Sequence, residues 1–430
     1  MNIILAVTGS IAAYKTYDLT RLFVKGNHQV HILLTKGACK IINPETFYYL
    51  GATEVWLAQD DFLVSKNKKH FHSPVNHVEL GKWCDLFVVA PQGSHTLAKM
   101  SLGLNDDLLL STYLALPKEK LVLIVPAMNP NMWNHPATQE HISKLKNRPN
   151  HFLHAPDSGL LACGDEGIGK LPSVESIYHF SLSLPMKSPA KEDSWNVLIT
   201  AGATISPLDP IRYLTNPSTG ELGFTLAQLF LSRGHKVTCI IGPYSKNKFE
   251  DLKGHPNFTL HRIFSAEEMA QLTIHYFPSQ KIFISTAAVN DIKFESSEKK
   301  LKKEKLGTSL PIKPNPDILK ETLQLKKIHQ LVIGMAAETE LTPSIIEEKF
   351  QRKPVDLLIA NKSQGPWSAG GEQGFNQSTL GFFAFTSKDL TYIKKSLDVV
   401  WANTKNECAD KILEWCTKNA RRSLSAHQNQ

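Results

Sequence analysis

Short apolar runs separated by longer stretches of helical spacing set the plan of this chain. In the first half the runs are Ile3 to Val7, Val30 to Leu34, Leu86 to Ala90 and Leu121 to Val125, with a helix-like stretch such as Tyr14 to Lys25 between them. Runs of four to six apolar residues, rich in Val, Ile and Leu, fit parallel strands buried on both faces, and the spacers fit the crossover helices. The pattern restarts with Val197 to Thr200 and continues through Val237 to Ile241, Ile282 to Ser285, Leu331 to Ile333 and Leu357 to Ile359. Between the two series, Ser181 to Ser194 holds two prolines and four serines without sustained periodicity and reads as a linker. The expectation is α/β throughout: two tandem Rossmann-like three-layer domains over residues 1–180 and 195–417, a linker over 181–194, and a frayed polar tail over 418–430.

Length supports the division, since 430 residues exceed one ordinary core. The 42 % hydrophobic and 20 % charged fractions are those of a globular chain, and no run is long enough to predict a membrane span. Met1 to Val7 lacks a basic n-region and reads as a first core strand. Six scattered cysteines without a CxxC pair predict a reducing cytoplasm rather than a disulfide frame or zinc site. The formal charge of +8 is carried in part by the run Lys299 to Lys305. It lacks interleaved aromatics on one face, so it favours anionic small molecules over nucleic acid.

Chemistry concentrates at the predicted strand ends, where ligands of such sheets bind. The first strand runs into Thr8-Gly9-Ser10, a turn able to offer backbone N–H groups to a phosphate. It is not GxGxxG, which disfavours a nicotinamide dehydrogenase. His77 precedes the strand at Leu86, and Gly93-Ser94-His95-Thr96 follows that strand. Pro126-Ala127-Met128-Asn129 ends the next, and about thirty-five residues on comes Ala162-Cys163-Gly164-Asp165-Glu166-Gly167-Ile168-Gly169-Lys170, a thiol in a loop of glycine and acid. In the second half the corresponding segments are Asp209 to Gly220, Ser285 to Asp291, Lys313 to Leu319 and Gly334 to Thr339. Lys349 and Lys353, four apart, read as sharing one helix face.

The PAMN and ACGDEGxGK motifs resemble those of flavin-dependent cysteine decarboxylases, and the second half resembles their usual fusion partner. The chain as a whole resembles the bifunctional phosphopantothenoylcysteine decarboxylase/phosphopantothenate–cysteine ligases of bacterial coenzyme A synthesis. The resemblance implies an N-terminal flavodoxin-like flavoprotein domain and a C-terminal nucleotide-binding ligase domain. It implies FMN held by Gly9, Ser10, Ser94 and Thr96, substrate packed on Met128, its carboxylate anchored by Asn129, its thiol oriented by His77, and a proton supplied by Cys163. The flavin would serve as a transient electron acceptor in a reaction with no net redox change.

For the ligase, the resemblance assigns CTP to Asp291, Pro316, Asp317, Ile318, Leu319, Met335, Lys349 and Lys353. It assigns 4′-phosphopantothenate and its acyl-cytidylate to Asn216, Arg212 and Ala287, with Lys300 assisting turnover, cysteine as the incoming amine and Mg2+ offsetting charge. It also implies a homo-oligomer with flavin sites at subunit contacts. The chain departs from the family pattern at four places. Gly93-Ser94-His95 replaces a hydroxyl–small–Asn triplet, Ile205-Ser206 replaces Arg-Glu, Glu221 replaces a lysine after the turn, and Met335 replaces an aromatic residue. A flavin-binding regulatory subunit without turnover is the alternative from another class.

Overall fold

The computed structural model describes all residues except 63–74, 187–193, 303–308, 341, 363–379, 384–399, 403 and 426–430. The chain divides into two compact units, the first comprising Met1–Met186 with Gly254–Pro256 and the second the remainder.

In the first unit the strands β1 (Asn2–Val7), β2 (Gln29–Leu34), β3 (Glu54–Leu57), β4 (Leu86–Gln92), β5 (Leu121–Pro126) and β6 (His151–Leu153) pair in parallel in the order β3-β2-β1-β4-β5-β6. Alternation along β1 feeds two apolar layers. Ile3, Leu5 and Val7 face the layer that holds Leu19 and Phe23 of the helix Thr16–Lys25, while Ile4 and Ala6 face Leu97, Met100 and Leu109. This is the expected three-layer sandwich. The edge strand β3 is what distinguishes the order from the 2-1-3-4-5 of flavodoxin; without it the same switch point, between β1 and β4, remains.

Two further strands, β7 (Asp157–Leu160) and β8 (Glu166–Lys170), make an antiparallel hairpin. The sequence reads this stretch as a loop because three of the five β8 positions are glycine or lysine. In the structure those glycines allow close approach instead. Gly169 has φ +149°, and a Cβ there would lie 2.1 Å from the Met128 carbonyl oxygen, while its own carbonyl accepts the Met128 N–H at 3.0 Å.

The second unit is built on the same order. Its strands are β9 (Asn196–Ala201), β10 (Ile205–Pro207), β11 (Tyr213–Thr215), β12 (Lys236–Ile241), β13 (Phe258–Arg262), β14 (Ile282–Ser285), β15 (Ile292–Phe294), β16 (Ile312–Pro314), β17 (Leu331–Glu338), β18 (Leu357–Lys362), β19 (Leu380–Phe383) and β20 (Val400–Ala402). The main sheet runs β13-β12-β9-β14-β17-β18-β19-β20, parallel as far as β18 and antiparallel beyond. Its switch point lies between β9 and β14. Two small hairpins, β10–β11 and β15–β16, stand beyond the strand ends.

Three boundary expectations need correction. The helix Val174–Ser183 enters the supposed linker: Ser181 and Ser183 are fully buried, and their hydroxyls donate to the Ile177 and Phe180 carbonyls at 2.7 Å. Serines that bond back into a helix imitate linker composition. At the other end the helix Lys405–Ser425 continues past residue 418, with Cys408, Ile412, Cys416 and Ala420 all buried at four-residue intervals. The polar composition of the tail hides that last apolar position. Finally, the helix Pro343–Arg352 stops before Lys353, whose φ of −141° is not helical, so Lys349 and Lys353 do not share a helix face.

Among the described residues no helix is long and apolar enough to cross a membrane.

Candidate active sites

At the first switch point the strand ends open a cavity of about 860 Å3. Its walls include Gly9, Ser10, Gly37, Ser94, His95, Thr96, Met128, Asn129 and Cys163. Gly9 is there for closeness: a Cβ on it would lie 3.0 Å from Gly37 Cα in the loop after β2. The Thr8 hydroxyl ties the next loop by donating to Pro91 O at 2.7 Å and accepting the Gly93 N–H at 2.8 Å. Ser94 begins the helix Ser94–Leu102, so the positive end of its dipole lies at the cavity wall. The Ser10 hydroxyl donates to Ala127 O at 3.2 Å, joining the first loop to the PAMN turn. Small residues, a helix N-terminus and hydroxyls around a volume of this size suit a phosphate-bearing ring cofactor plus a substrate.

The turn of the β7–β8 hairpin brings Cys163 to this cavity. It is closed by Leu161 N–H to Asp165 O at 2.9 Å and Gly164 N–H to Leu161 O at 3.0 Å. Asn129 caps the helix Pro130–Asn134 with its Oδ1 and turns its Nδ2 to the hairpin, donating to Asp165 Oδ2 at 2.5 Å and to Cys163 Sγ at 3.5 Å. The thiol in turn donates to the same Asp165 oxygen at 3.4 Å. Asn129, Cys163 and Asp165 are therefore one cluster. Asp165 has no role in the sequence reading, although it lies inside the motif. Of the other cysteines, Cys84 and Cys408 are buried, and burial pushes their thiols up to about 12. Cys163 is exposed at the cavity.

His77 does not line this cavity. It opens the helix Asn76–Trp83 and its Nδ1 meets the Asp61 carboxylate at 2.7 and 3.0 Å. The missed partner was signalled only by the acidic pair Asp60-Asp61 sixteen residues upstream.

The contact between β8 and the PAMN turn gives a direct test. Gly169→Ala should cost about 1–3 kcal/mol of stability and pull Met128 and Asn129 off the hairpin. Thermal melting should drop while turnover at this cavity falls with it; an unchanged melt and rate would mean that the close approach is not needed.

Around the second switch point the candidates fall into linked clusters. The Asp209 carboxylate accepts from Arg212 Nε at 3.1 Å and Nη2 at 2.5 Å, and from the Leu301 N–H at 3.2 Å, while Arg212 Nη2 donates to Leu301 O at 2.9 Å. Both backbone groups of Leu301 are thus clamped, which fixes the exposed Lys300 beside the Arg212 loop. Arg212, expected as a substrate residue, has its fork turned to this clamp. Asn216 Nδ2 donates to Ala288 O at 3.2 Å, next to Ala287. Asn315 Nδ2 donates to Asn290 O at 2.9 Å and Ile292 O at 3.1 Å, and its N–H donates to Asp291 O at 2.9 Å. That sets Pro316 to Leu319 beside Asp291. Asp317 caps the helix Ile318–Leu325 and pairs with Lys353 at 2.8 Å. Lys349 pairs with Glu338 at the end of β17.

The buried Asn290 was missed by the sequence reading, yet its Nδ2 spans Thr204 O, Ser206 Oγ and Leu214 O at 3.2, 3.3 and 2.9 Å. Among the described residues no group of three or more His, Cys, Asp or Glu side chains is placed to hold a metal ion.

The Arg212 hydrogen bond holds the Asp209 carboxyl well below the usual carboxylate range, against the opposing effect of burial. A depressed carboxyl contributes stability above its unfolded value of about 4, and that contribution fades only as pH falls through the depressed one. The clamp therefore stays charged throughout the mildly acidic range. Asp209→Asn should release Leu301 and lower turnover at this second site by about 100-fold, without changing turnover at the first. Equal rates at the second site in variant and parent would remove the clamp from it.

Comparison with known proteins divides the chain at the same place. Residues 1–185 match the flavoprotein family, and residues 193–419 match the DNA/pantothenate metabolism flavoprotein C-terminal domain. The chain is 36 % identical over 93 % of its length, and 94 % of the relative's, to the coenzyme A biosynthesis bifunctional protein CoaBC of Bacillus subtilis (strain 168). It is 33 % identical to the Haemophilus influenzae protein of the same description, covering 85 % of this chain and 87 % of that one. A solved structure, the FMN binding protein AtHal3, is 34 % identical over 41 % of this chain and 92 % of its own, with a TM-score of 0.36.

Proposed function

This chain belongs to the family of coenzyme A biosynthesis bifunctional proteins CoaBC, and from that premise we propose how its own residues divide the work. The two activities are a decarboxylase in the flavoprotein unit and a ligase in the unit that follows. The observation that carries the reading is the Asn129–Cys163–Asp165 cluster at a cavity of about 860 Å3.

In the first unit, bound FMN would supply a reversible two-electron acceptor for the thiol-bearing carbon of phosphopantothenoylcysteine. Gly9, Ser10, Ser94 and Thr96 would hold the cofactor, Met128 would pack on the substrate, and the Asn129 amide would hold the substrate carboxylate. Asp165 now accepts that amide hydrogen, so it stands in for the carboxylate, and the substrate must displace it. Loss of CO2 leaves its electron pair in an enethiol, and the Cys163 thiol would give its proton to the carbon that carried the carboxylate when the two electrons return to the thiol-bearing carbon. His77 lies outside the cavity of its own chain, so in this reading it reaches the substrate from a second copy in a homo-oligomer. His95 stands at the helix start in the place of the family asparagine.

In the second unit, the carboxylate of 4′-phosphopantothenate attacks the α-phosphorus of CTP, pyrophosphate leaves, and the amine of cysteine displaces CMP from the acyl-cytidylate. Lys300 and Asn216 would stabilise that intermediate, Arg212 would position Lys300 through Leu301, and Ala287 would lie against the acyl group. Asp291, Pro316 to Leu319, Met335, Lys349 and Lys353 would surround the nucleotide, with Mg2+ entering on its phosphates.

Spectra of purified protein, with extraction and identification of its flavin, test the cofactor. FMN is the expected product; a nicotinamide nucleotide would contradict the reading. Bound FMN without CO2 release from phosphopantothenoylcysteine would favour the regulatory alternative.

A further inference from the structure

A second, small cavity of about 50 Å3 lies where the helix Glu221–Ser232 begins. Glu221, Thr286, Met335, Asn361 and Lys405 all line it. Glu221 does not present a bare negative charge there. Lys246 and Lys248 reach its two carboxylate oxygens at 2.8 and 2.9 Å. Burial works to raise its carboxyl, but the hydrogen bonds from those lysines hold it below the ordinary value.

Lys405 differs from both. It opens the helix Lys405–Ser425 and is partly buried; it feels the charge of Glu221 but makes no ion pair with it, and burial together with Lys246 and Lys248 outweighs that attraction and lowers its ammonium. Asn361, on β18, is only 5 % exposed, and its Oδ1 has no hydrogen-bond partner among the described residues. A buried amide oxygen without a donor is costly, and native structures rarely leave one so. A lysine whose one facing carboxylate is already held by two other lysines, and an acceptor without a donor among the described residues, on one cavity, call for a ligand with an anionic group beside an N–H or O–H. The first backbone N–H groups of the twelve-residue helix favour the same sign of charge.

We propose that Lys405 and Asn361 are binding residues of the second site, Lys405 for a phosphoryl oxygen of a phosphorylated substrate and Asn361 Oδ1 for a donor adjoining it. Glu221 is a positioning residue that holds Lys246 and Lys248 at the rim. Three lysines around one glutamate restore the positive charge that the family places at residue 221. This assignment rests on the ligase reading for the identity of the substrate, though not for the binding itself.

Calorimetric titration of the full chain with CTP plus Mg2+, with 4′-phosphopantothenate, and with inorganic pyrophosphate as an anion probe tests it. Lys405→Met should weaken the ligand that seats its phosphoryl group here by about 10–100-fold and leave the other unchanged. Asn361→Leu should weaken the same ligand. The double variant Glu221→Lys/Lys405→Met should regain most of the loss. Unchanged binding of all three probes by Lys405→Met would overturn the proposal. So would failure of the parent to bind any of them, or equal weakening of both substrates with a lowered melt and no rescue. Binding that is lost in Lys405→Met, in a parent that never forms pyrophosphate with cysteine, would support these residues while refuting the ligase reading.

Discussion

Cys163→Ser should keep its flavin and lose decarboxylation by about 100- to 10,000-fold, the usual range for removing a proton donor. The expectation follows from placement. The β7–β8 turn brings the thiol to the large cavity, and Asp165 and the Asn129 amide both contact its sulfur. A serine hydroxyl fits the same space and can keep the hydrogen bonds, so the cavity and the cofactor should be undisturbed, but an alcohol is a far weaker acid. Cys39→Ser is the control, since Cys39 is exposed and does not line the cavity. Flavin absorbance checks loading, and CO2 release from phosphopantothenoylcysteine checks turnover. Wild-type release by Cys163→Ser would remove the proton-donor role.

Lys300→Gln should lower ligation by about 100- to 1,000-fold, the cost of losing a group aimed at developing charge. Lys300 is exposed, which by itself would mark it as surface decoration. Its neighbour changes that reading: both backbone groups of Leu301 are held by the Asp209–Arg212 pair, a constraint that fixes the path of the chain at the lysine. Glutamine keeps length and polarity, so the fold should be retained. Pyrophosphate formation with CTP and 4′-phosphopantothenate measures the first step, and decarboxylation of added phosphopantothenoylcysteine should stay at the parent rate. Full ligation by this variant would take Lys300 out of the chemistry.

What could be read from sequence follows from how each element is buried. β1, β4 and β5 sit inside a sheet covered on both faces, so they appear as unbroken apolar runs. β3 and β6 are edge strands of four and three residues with mostly half-buried side chains, and β13 repeats that case in the second unit. They carry too few apolar positions to stand out from a loop. The β8 strand was hidden for a different reason: its glycines serve a backbone approach to Met128 that leaves no hydrophobic signature.

Residues that lie within a local motif, such as Asn129 and Cys163, are ones the fold also brings together at one cavity. The site was not legible where a distant partner decides what a side chain does. Arg212 looks like a substrate residue until Asp209 and Leu301 are seen on its fork. Glu221 looks like a charge reversal until Lys246 and Lys248 close on it. His77 keeps the right order along the chain, yet its ring meets Asp61 outside the cavity, because order along a chain does not say which way a helix faces.

The most direct measurement is a coupled assay on the purified full chain. It receives 4′-phosphopantothenate, cysteine and Mg2+ with either CTP or ATP, and pyrophosphate and CO2 are followed separately. The account predicts both products with CTP, with pyrophosphate appearing first. CO2 only from preformed phosphopantothenoylcysteine, with no pyrophosphate from either nucleotide, would contradict it.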